Sequence, residues 1–349
     1  MDDYKTIGRV INRPLISVVM SIYNEPLEWL QLSIDSILEQ TYDEFEFIIV
    51  CDNPDYKDGI NLLKGYSGKD SRIKIVYNSN NLGLTKSLNK AISLALGDYI
   101  VRMDADDIAF PNRLRKQIDF MTQHPLCVAS GGFAKIIDEK GKVLGDWRIG
   151  CTWMELKSGA LFTSPILHPT AIFRRIINGA AIRYDETKRY AQDYALWATL
   201  IDKHELLNTG EQLIFYRQTS KQVSNSHHEE QTESAVSTQE LLFEKLKLYE
   251  THEIKRAISI ITKKQLVKVE VKDLSIQLID FLNKNQLNSN IDIKIVRKYI
   301  LTYFCLYLPY HLGMFKSLRY ALSFSWSINF FQLRPFLAMS YHCLKNRSK

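Results

Sequence analysis

Three acidic residues stand together directly after a short apolar run in the sequence. Tyr99 to Met103 has the composition of a buried β-strand, and Asp104, Asp106 and Asp107 follow it at once. Clustered carboxylates at a strand end are costly unless a cation or a polar ligand shares their charge. The pattern therefore predicts a metal platform at the carboxyl edge of a sheet, with a solvated acidic cluster as the alternative.

Spacing argues against two other uses of these acids. A calcium-binding EF-hand loop that began at Asp104 would need glycine at its sixth position and glutamate at its twelfth, where the chain has Ala109 and Arg115. A phosphatase with an aspartyl nucleophile would carry its acids after the first strand, where the chain has Ser21 to Asn24. The sequence fits neither class.

Strand patterns alternate with helix patterns around this cluster. Leu15 to Ile22 is an almost continuous apolar, β-branched run, which indicates a central strand of a parallel sheet. Further strands are predicted at Phe45 to Val50 and Ile73 to Tyr77. Because strands that alternate with helices are joined by right-handed crossovers, the pattern predicts an α/β fold with a parallel sheet.

Two helix patterns lie between these strands. Pro26 suits a first helical turn, with Asn24 or Glu25 as the residue that caps the helix. Leu84 to Leu96 is the second helix, and Gly97 is predicted to stop it. Ligands of open α/β sheets bind at the carboxyl ends of the strands. Polar residues gather at these ends: Tyr23, Asn24, Asp52, Asn81, Asp104 and Asp106.

The second half of the chain has a mixed α+β pattern. Gln192 and Asp193 open a predicted helix, and Leu213 to Arg217 is predicted to be the final strand. From Ser220 to Glu233 the chain is polar, and this stretch is predicted to be a loop. The patterns that follow are helical.

The length and composition suit one large domain with an appendage. The chain has 349 residues, 46% of them hydrophobic and 24% charged. We expect a domain at 1–225, with halves at about 14–110 and 111–225, and a helical region at 226–349. Five widely spaced cysteines without a CxxC pair, and an acidic amino terminus without an apolar core, predict a cytoplasmic chain without a signal peptide.

The net charge of +6 belongs to the tail. Nine of the 45 basic residues and none of the 39 acidic residues lie after Asp292. From residue 293 the chain is basic and aromatic, with apolar residues at helical spacing, which suits the headgroup layer of an anionic membrane. Peripheral attachment to the cytoplasmic face of the plasma membrane is predicted, with packing on the protein or on another subunit as the alternative. Without a recognised binding module, no nucleic acid partner is expected.

Several segments, in this order, resemble the motifs of glycosyltransferase family 2. They are Ile16 to Asn24, Ser33 to Tyr42, Ile48 to Asp52, Asn81 to Leu84, Gly97 to Asp107 and Gln192 to Trp197. The resemblance covers roughly residues 14–220. It implies the Rossmann-like GT-A fold with a mostly parallel sheet, a nucleotide-diphosphate sugar as donor, inversion at the anomeric carbon, and a role in bacterial surface polysaccharide synthesis.

The resemblance also implies roles for residues on the donor side. Asp104 and Asp106 match an Asp-X-Asp motif that holds Mn²⁺ or Mg²⁺ against the diphosphate, with Asp106 as the metal ligand and Asp104 reaching the ribose or the metal through water. Asp52 matches an acid that accepts a hydrogen bond from uracil, which points to a UDP-sugar. Tyr23 and Glu25 would flank the base and the ribose.

Two further donor-side residues come from the same comparison. Asn81 stands in a motif of the donor side, close to Gly83, which would let the backbone approach the donor or would serve as an ordinary loop turn. Arg217, after the last strand, would close over the diphosphate, with a solvated loop position as the alternative.

On the acceptor side, Asp193 matches the general base that takes the proton from the attacking hydroxyl of a glycan or lipid-linked acceptor. The chain departs from the family pattern at Cys51, Leu88 and Gln192. These departures keep a second hypothesis open, a nucleotide-sugar-binding or scaffold subunit of a polysaccharide assembly complex that has lost catalysis.

Overall fold

A computed structural model describes residues 16–219, 228–249 and 271–300, together with positions 252, 254, 256 and 259. The chain divides into two compact units. The first unit consists of Met1–Ile149, Ile166–Gln192 and Glu205–Ser220, and the second of Gly150–Pro165, Asp193–His204 and Lys221–Lys349. The second unit therefore includes two segments from the earlier part of the chain. The predicted domain boundary at residue 225 stays a prediction.

One nine-stranded sheet forms the centre of the first unit. Its strands are β1 (Ile16–Ile22), β2 (Phe45–Cys51), β3 (Ile73–Tyr77), β4 (Tyr99–Arg102), β5 (Ile108–Ala109), β6 (Cys127–Ile137), β7 (Val143–Trp147), β8 (Ile172–Arg174) and β11 (Glu205–Arg217). The order is β3-β2-β1-β4-β8-β6-β11-β5, with β7 paired to β6. The short strands β9 (Ile176–Ile177) and β10 (Ala180–Ala181) form a separate pair.

The register of the pairs shows that the sheet is mostly parallel. β1 pairs in parallel with both β2 and β4, and β2 pairs in parallel with β3. β8 runs antiparallel to its neighbours β4 and β6, so β6 and its parallel partner β11 run in the direction of β1. Only β5, β7 and β8 run the other way. This is the predicted GT-A type of α/β fold.

Helices cover the sheet and build the second unit. Those of the first unit are α1 (Leu27–Leu38), α2 (Lys57–Ser67), α3 (Leu84–Leu94) and α4 (Arg113–Gln123). The second unit contains α5 (Trp153–Gly159), most of α6 (Gln192–Leu200), α7 (His228–Lys245), α8 (Val271–Lys284) and the helical residues 293–300. α1 has an apolar stripe at helical spacing, and its Leu30, Ile34 and Ile37 are buried in the same core cluster as residues of β1 and β2.

Two predictions about helix ends were wrong. No side chain caps α1: Pro26 takes the cap position, and the Glu25 carboxylate accepts the backbone N–H of Tyr23 instead. α3 ends at Leu94, so Gly97 does not stop it. A Cβ at Gly97 would lie 2.7 Å from the Ser17 backbone nitrogen, so glycine is needed there for the close approach to β1.

The polar stretch after β11 was predicted to be a loop through Glu233, but helix α7 already begins at His228. Residues 220–227 and most of a helix predicted at Lys255 to Val267 lie outside the described residues. So does the chain from 301 onward, on which much of the membrane prediction depends. In the described part, no helix has both the length and the apolar character needed to cross a bilayer.

Candidate active site

The acidic cluster occupies the turn between β4 and β5. One carboxylate oxygen from each of Asp104, Asp106 and Asp107 lies within 4.8 Å of the others. β4 lies between β1 and β8 in the sheet and runs parallel to β1, so these acids stand at the carboxyl edge, as the sequence predicts. Oxygen ligands so grouped suit a hard divalent cation such as Mn²⁺ or Mg²⁺.

Asp104 is the member of the cluster that already has a cationic partner. Arg102, on the preceding strand and only 4% exposed, donates to both Asp104 carboxylate oxygens. Ser33 of α1 also donates to the Asp104 backbone carbonyl, with Oγ 2.7 Å from the oxygen. A bidentate guanidinium fixes the orientation of a carboxylate, so Asp104 presents a defined face to the edge of the sheet.

Asp107 is fully buried and only partly satisfied. Its Oδ1 accepts the backbone N–H of Arg217 at 2.8 Å, whereas its Oδ2 is buried without a hydrogen-bond partner among the described residues. Burial, with the charge of Asp106 as a further cause, raises the pKa of Asp107 to about 8. Burial also raises the pKa of Asp106, although Arg102 and Arg217 oppose the shift. Ionising these two carboxylates therefore costs free energy unless a cation shares their site.

Arg113 underlies the cluster and was missed from the sequence. It is fully buried on α4, and its Nη2 donates to the Arg102 carbonyl at 2.6 Å and its Nε to Gln117 Oε1 at 2.9 Å. Burial lowers the pKa of its guanidinium to about 9, and the charge of Asp107 opposes that shift. The only available signal was an arginine and a glutamine four residues apart beside the apolar stripe of α4.

Asp52, at the end of β2, organises the next loop of the edge. Its Oδ1 accepts from Asn78 Nδ2 at 2.7 Å and from the Leu82 N–H at 2.8 Å, and its Oδ2 accepts from the Gly83 N–H at 2.8 Å. Gly83 has φ 86°, a region that favours glycine, and Asn81 Oδ1 also accepts its N–H. Asp52 and Asn81 are therefore brought together around one glycine.

Glu25 is held inside the loop that follows β1. Its carboxylate accepts the Tyr23 N–H at 2.8 Å, and its backbone carbonyl accepts from the Tyr56 hydroxyl. Burial raises its pKa to about 7, and Asp106 adds repulsion, while backbone N–H groups of the loop oppose the shift. The Tyr23 ring is 49% exposed, so it is not packed in the core.

Arg217 joins three parts of the first unit. Its Nε donates to the Asp106 carbonyl at 2.9 Å, and its Nη1 donates to the carbonyls of Asp138 and Glu139 at 3.2 Å. Its guanidinium lies 5.0 Å from the centre of the Trp29 ring. The contact of Arg217 with a diphosphate stays a prediction. Its hydrogen bond to the Asp106 carbonyl ties it to the acidic turn between β4 and β5.

Asp193 belongs to the second unit, in the first turn of α6. Its Oδ2 accepts a hydrogen bond from Ser164 Oγ at 3.2 Å. Ala191, just before the helix, has φ 53°, a left-handed conformation that costs a non-glycine residue about 1–2 kcal/mol. Sequence patterns gave no sign of Ser164, because a lone serine in a connecting segment has no characteristic spacing.

Comparison with known proteins agrees with this geometry. The model of the family described as Glycosyl transferase family 2 matches residues 17–178. The O-antigen biosynthesis glycosyltransferase WbnJ of Escherichia coli is 30% identical over 215 residues, which cover 61% of this chain and 83% of WbnJ. The chain belongs to glycosyltransferase family 2. Another relative, an uncharacterized glycosyltransferase of Methanocaldococcus jannaschii, is 38% identical over 192 residues; the match covers 55% of this chain and 66% of that protein, just under two thirds.

Solved structures show the same fold at low sequence identity. S. aureus TarS 1–349, in complex with UDP-GlcNAc, matches with a TM-score of 0.55 at 16% identity, over 86% of this chain and 92% of that one. The mannosyltransferase PcManGT of Pyrobaculum calidifontis, in complex with GDP-Man and Mn²⁺, matches with a TM-score of 0.52 at 15% identity, over 91% of this chain and 88% of that one. These likenesses establish the GT-A fold of this family 2 protein.

Proposed function

We propose that this family 2 protein is an inverting, metal-dependent glycosyltransferase. It moves a sugar from a nucleotide-diphosphate donor, a UDP-sugar, to a lipid-linked or growing glycan in surface polysaccharide synthesis. The observation that carries the proposal is the turn after β4, where three carboxylates converge within 4.8 Å and burial raises the pKa of two of them. Relatives support the substrate classes: WbnJ acts in O-antigen biosynthesis, and the TarS structure contains UDP-GlcNAc.

A divalent cation fits this turn for two reasons. All three side chains offer oxygen, the ligand atom that Mn²⁺ and Mg²⁺ prefer, and the buried Oδ2 of Asp107 has no partner among the described residues. Asp106 and Asp104 would hold the ion, and PcManGT has Mn²⁺ in its complex. When bound, the ion neutralises charge on the diphosphate of the donor and on the departing nucleotide.

The remaining roles follow the sites of the side chains. We assign Asp193 to accept the proton of the acceptor hydroxyl, with Ser164 fixing its orientation. Tyr23, Glu25 and Asn81 line the donor edge of the first unit. Asp52 already accepts three hydrogen bonds, so about one of its four lone-pair positions remains for a uracil N–H.

A nucleotide-sugar screen tests the proposal. The full chain is incubated with UDP-, GDP- and dTDP-sugars, with Mn²⁺ or with EDTA, and nucleotide release and binding are measured. We expect Mn²⁺-dependent release from a UDP-sugar, its loss in Asp106→Asn, and its retention in Asp98→Asn, an exposed acid just before β4. Binding of a nucleotide sugar without any release would instead favour the non-catalytic subunit.

We further propose that the basic, aromatic tail attaches this enzyme to the cytoplasmic face of the plasma membrane. The support is the sequence, in which nine basic residues and no acidic residue follow Asp292. Sedimentation with anionic and neutral vesicles tests it. We expect co-sedimentation with anionic vesicles that weakens in high salt. A chain that stays in the supernatant with both vesicles would contradict the proposal.

A further inference from the structure

Within the second unit, C-terminal helices contact the segment that supports Asp193. This segment, residues 160–164, connects the end of α5 to Ser164, whose hydroxyl donates to the Asp193 carboxylate. Its first two residues, Ala160 and Leu161, are fully buried. Their carbonyls lie just past the end of α5, where the helix supplies no N–H groups, and water cannot reach them.

Two side chains satisfy these carbonyls. The Tyr194 hydroxyl, next to Asp193 on α6, donates to the Ala160 carbonyl. Gln239 of α7 donates from Nε2 to the Leu161 carbonyl at 3.0 Å and also hydrogen-bonds the Tyr194 hydroxyl. Tyr194 and Gln239 are each 3% exposed. A buried carbonyl that loses its donor is destabilised because water does not replace the lost hydrogen bond, so removal of Gln239 should loosen the segment.

The helical residues 293–300 contact the same segment from further along the chain. The Tyr299 ring stacks on Phe162, with ring centres 5.3 Å apart and an angle of 12° between planes. A Cβ at Gly159 would lie 2.8 Å from the Tyr299 hydroxyl, so a side chain there would displace the end of that ring. In addition, the Asp292 N–H donates to Ser158 Oγ at 2.8 Å. The C-terminal region therefore contacts the end of α5 and the first part of the segment that leads to Ser164.

We infer that Gln239 is a positioning residue for Asp193, acting through Tyr194 and the segment 160–164. The inference rests on the proposed role of Asp193 as the base. If so, the C-terminal helices help to orient the Asp193 carboxylate that accepts the proton of the acceptor hydroxyl. This role is separate from the proposed attachment of the tail to the membrane. A loss of Gln239 should lower turnover without weakening the binding of the nucleotide, because the contacts described for this network lie within the second unit.

The test compares Gln239→Met with Glu240→Met in the full chain. Methionine keeps the length of the side chain and removes its hydrogen bonds, and Glu240 is an exposed neighbour on the same helix. Hydrogen–deuterium exchange is followed in peptides covering 159–165 and 192–200. We expect faster exchange in both peptides for Gln239→Met and no change for Glu240→Met. Unchanged exchange in Gln239→Met overturns the inference.

Kinetics separate a positioning role from a general loss of stability. The probe is Mn²⁺-dependent hydrolysis of UDP-GlcNAc, in which water takes the place of the acceptor, with UDP binding measured by calorimetry. Gln239→Met and Ser164→Ala should lower kcat about tenfold, leave KM and the Kd of UDP unchanged, and add no further loss in an Asp193→Asn background.

The outcomes distinguish this inference from the proposed function. If Asp193→Asn loses hydrolysis while Gln239→Met keeps it, or if Gln239→Met lowers it equally in both backgrounds, only the positioning role is wrong. If Asp193→Asn hydrolyses at the wild-type rate, the base assignment fails and the positioning role fails with it. If wild type does not hydrolyse UDP-GlcNAc, that result counts against UDP-GlcNAc as the donor and not against other UDP-sugars. The hydrogen–deuterium exchange experiment then decides the positioning role.

Discussion

Two buried aspartates at the same sheet edge differ in how the protein satisfies them. Asp52, 3% exposed, accepts three hydrogen bonds from Asn78, Leu82 and Gly83. Asp107, fully buried, accepts one, and its other oxygen has no partner among the described residues. The first carboxylate therefore stabilises its own loop. The second retains a capacity that only an added proton or cation can fill.

The comparison shows that burial alone does not identify a ligand site. A buried acid whose oxygens are all used holds a loop together, and its removal should cost stability. A buried acid that is left short of donors beside a second acid raises the free energy of the protein until a cation binds. The two kinds of carboxylate should therefore respond differently to mutation, to metal and to pH.

The largest effect on transfer is expected from Asp106→Asn in the acidic turn between β4 and β5. It removes the neighbour whose charge raises the pKa of Asp107, so the fold should be kept or gain stability while transfer falls by about a thousandfold, about 4 kcal/mol. Turnover assays with and without Mn²⁺ measure the fall in transfer, thermal melts check the fold, and Asp98→Asn is the control. Normal Mn²⁺ dependence in Asp106→Asn would show that the turn does not hold the ion.

Asp52→Ala should have the opposite profile and the next largest effect. It removes the acceptor of three hydrogen bonds, although the Gly83 N–H keeps Asn81 Oδ1 and Asn78 Nδ2 keeps Ser87 Oγ, so the free energy of unfolding should fall by about 2 kcal/mol. Urea unfolding measures it, and Asp55→Ala, at an exposed position in the following turn, is the matched control. Equal stability of the two variants would contradict the role of Asp52 in stabilising its loop.

Glu25 tests the comparison through pH. Its pKa is about 7 in the folded chain and near 4.5 without the fold, so between these values the folded chain binds more protons than the unfolded one. Stability contributed by the protonated form is therefore lost as the pH rises through this window. Glu25→Gln should gain a few degrees in Tm at pH 8 and almost nothing at pH 4. A difference in Tm between Glu25→Gln and wild type that does not change with pH would contradict the raised pKa of Glu25.

Glu46, at the start of β2, should show the smallest effect, with the opposite sign. Burial tends to raise its pKa, but hydrogen bonds from Lys74, Ser17 and the Leu96 N–H outweigh that and lower it. The ionised Glu46 carboxylate stabilises the fold above its unfolded pKa. This stability is lost as the pH falls through the lower folded pKa. Glu46→Gln should lose about 1 kcal/mol at pH 7 and progressively less as the pH falls below the unfolded pKa. Parallel thermal melts of the Glu25 and Glu46 variants check this contrast.

The sequence predicts the sheet well because buried parallel strands have continuous apolar runs. Ile73 to Tyr77 was predicted with both of its ends correct, and the acids after Met103 lie at the predicted edge. What the sequence could not predict depends on contacts between distant residues. Gly97 resembled a helix stop, but its role is set by the backbone of Ser17, eighty positions earlier.

The same limit applies to the candidate site. The sequence made Asp104, Asp106 and Asp193 candidates, but it gave no sign of Arg113, Ser164 or Gln239, which donate hydrogen bonds to backbone carbonyls or to a single carboxylate oxygen. Such contacts require no particular spacing along the chain. Whether Arg217 contacts a diphosphate is still a prediction, and so are the other ligand roles.

The bonds of Arg217 set a limit for anyone who wishes to redesign this enzyme by loop grafting. One side chain clasps the carbonyls of Asp106, Asp138 and Glu139, so the β6–β7 turn and the acidic turn share a single anchor. A grafted loop of different length at residues 138–142 would displace that anchor. Grafts that keep the carbonyls of Asp138 and Glu139 in place should be accepted. Insertions before Lys140 should alter the affinity of the acidic turn for a metal ion, even though they lie in a surface hairpin.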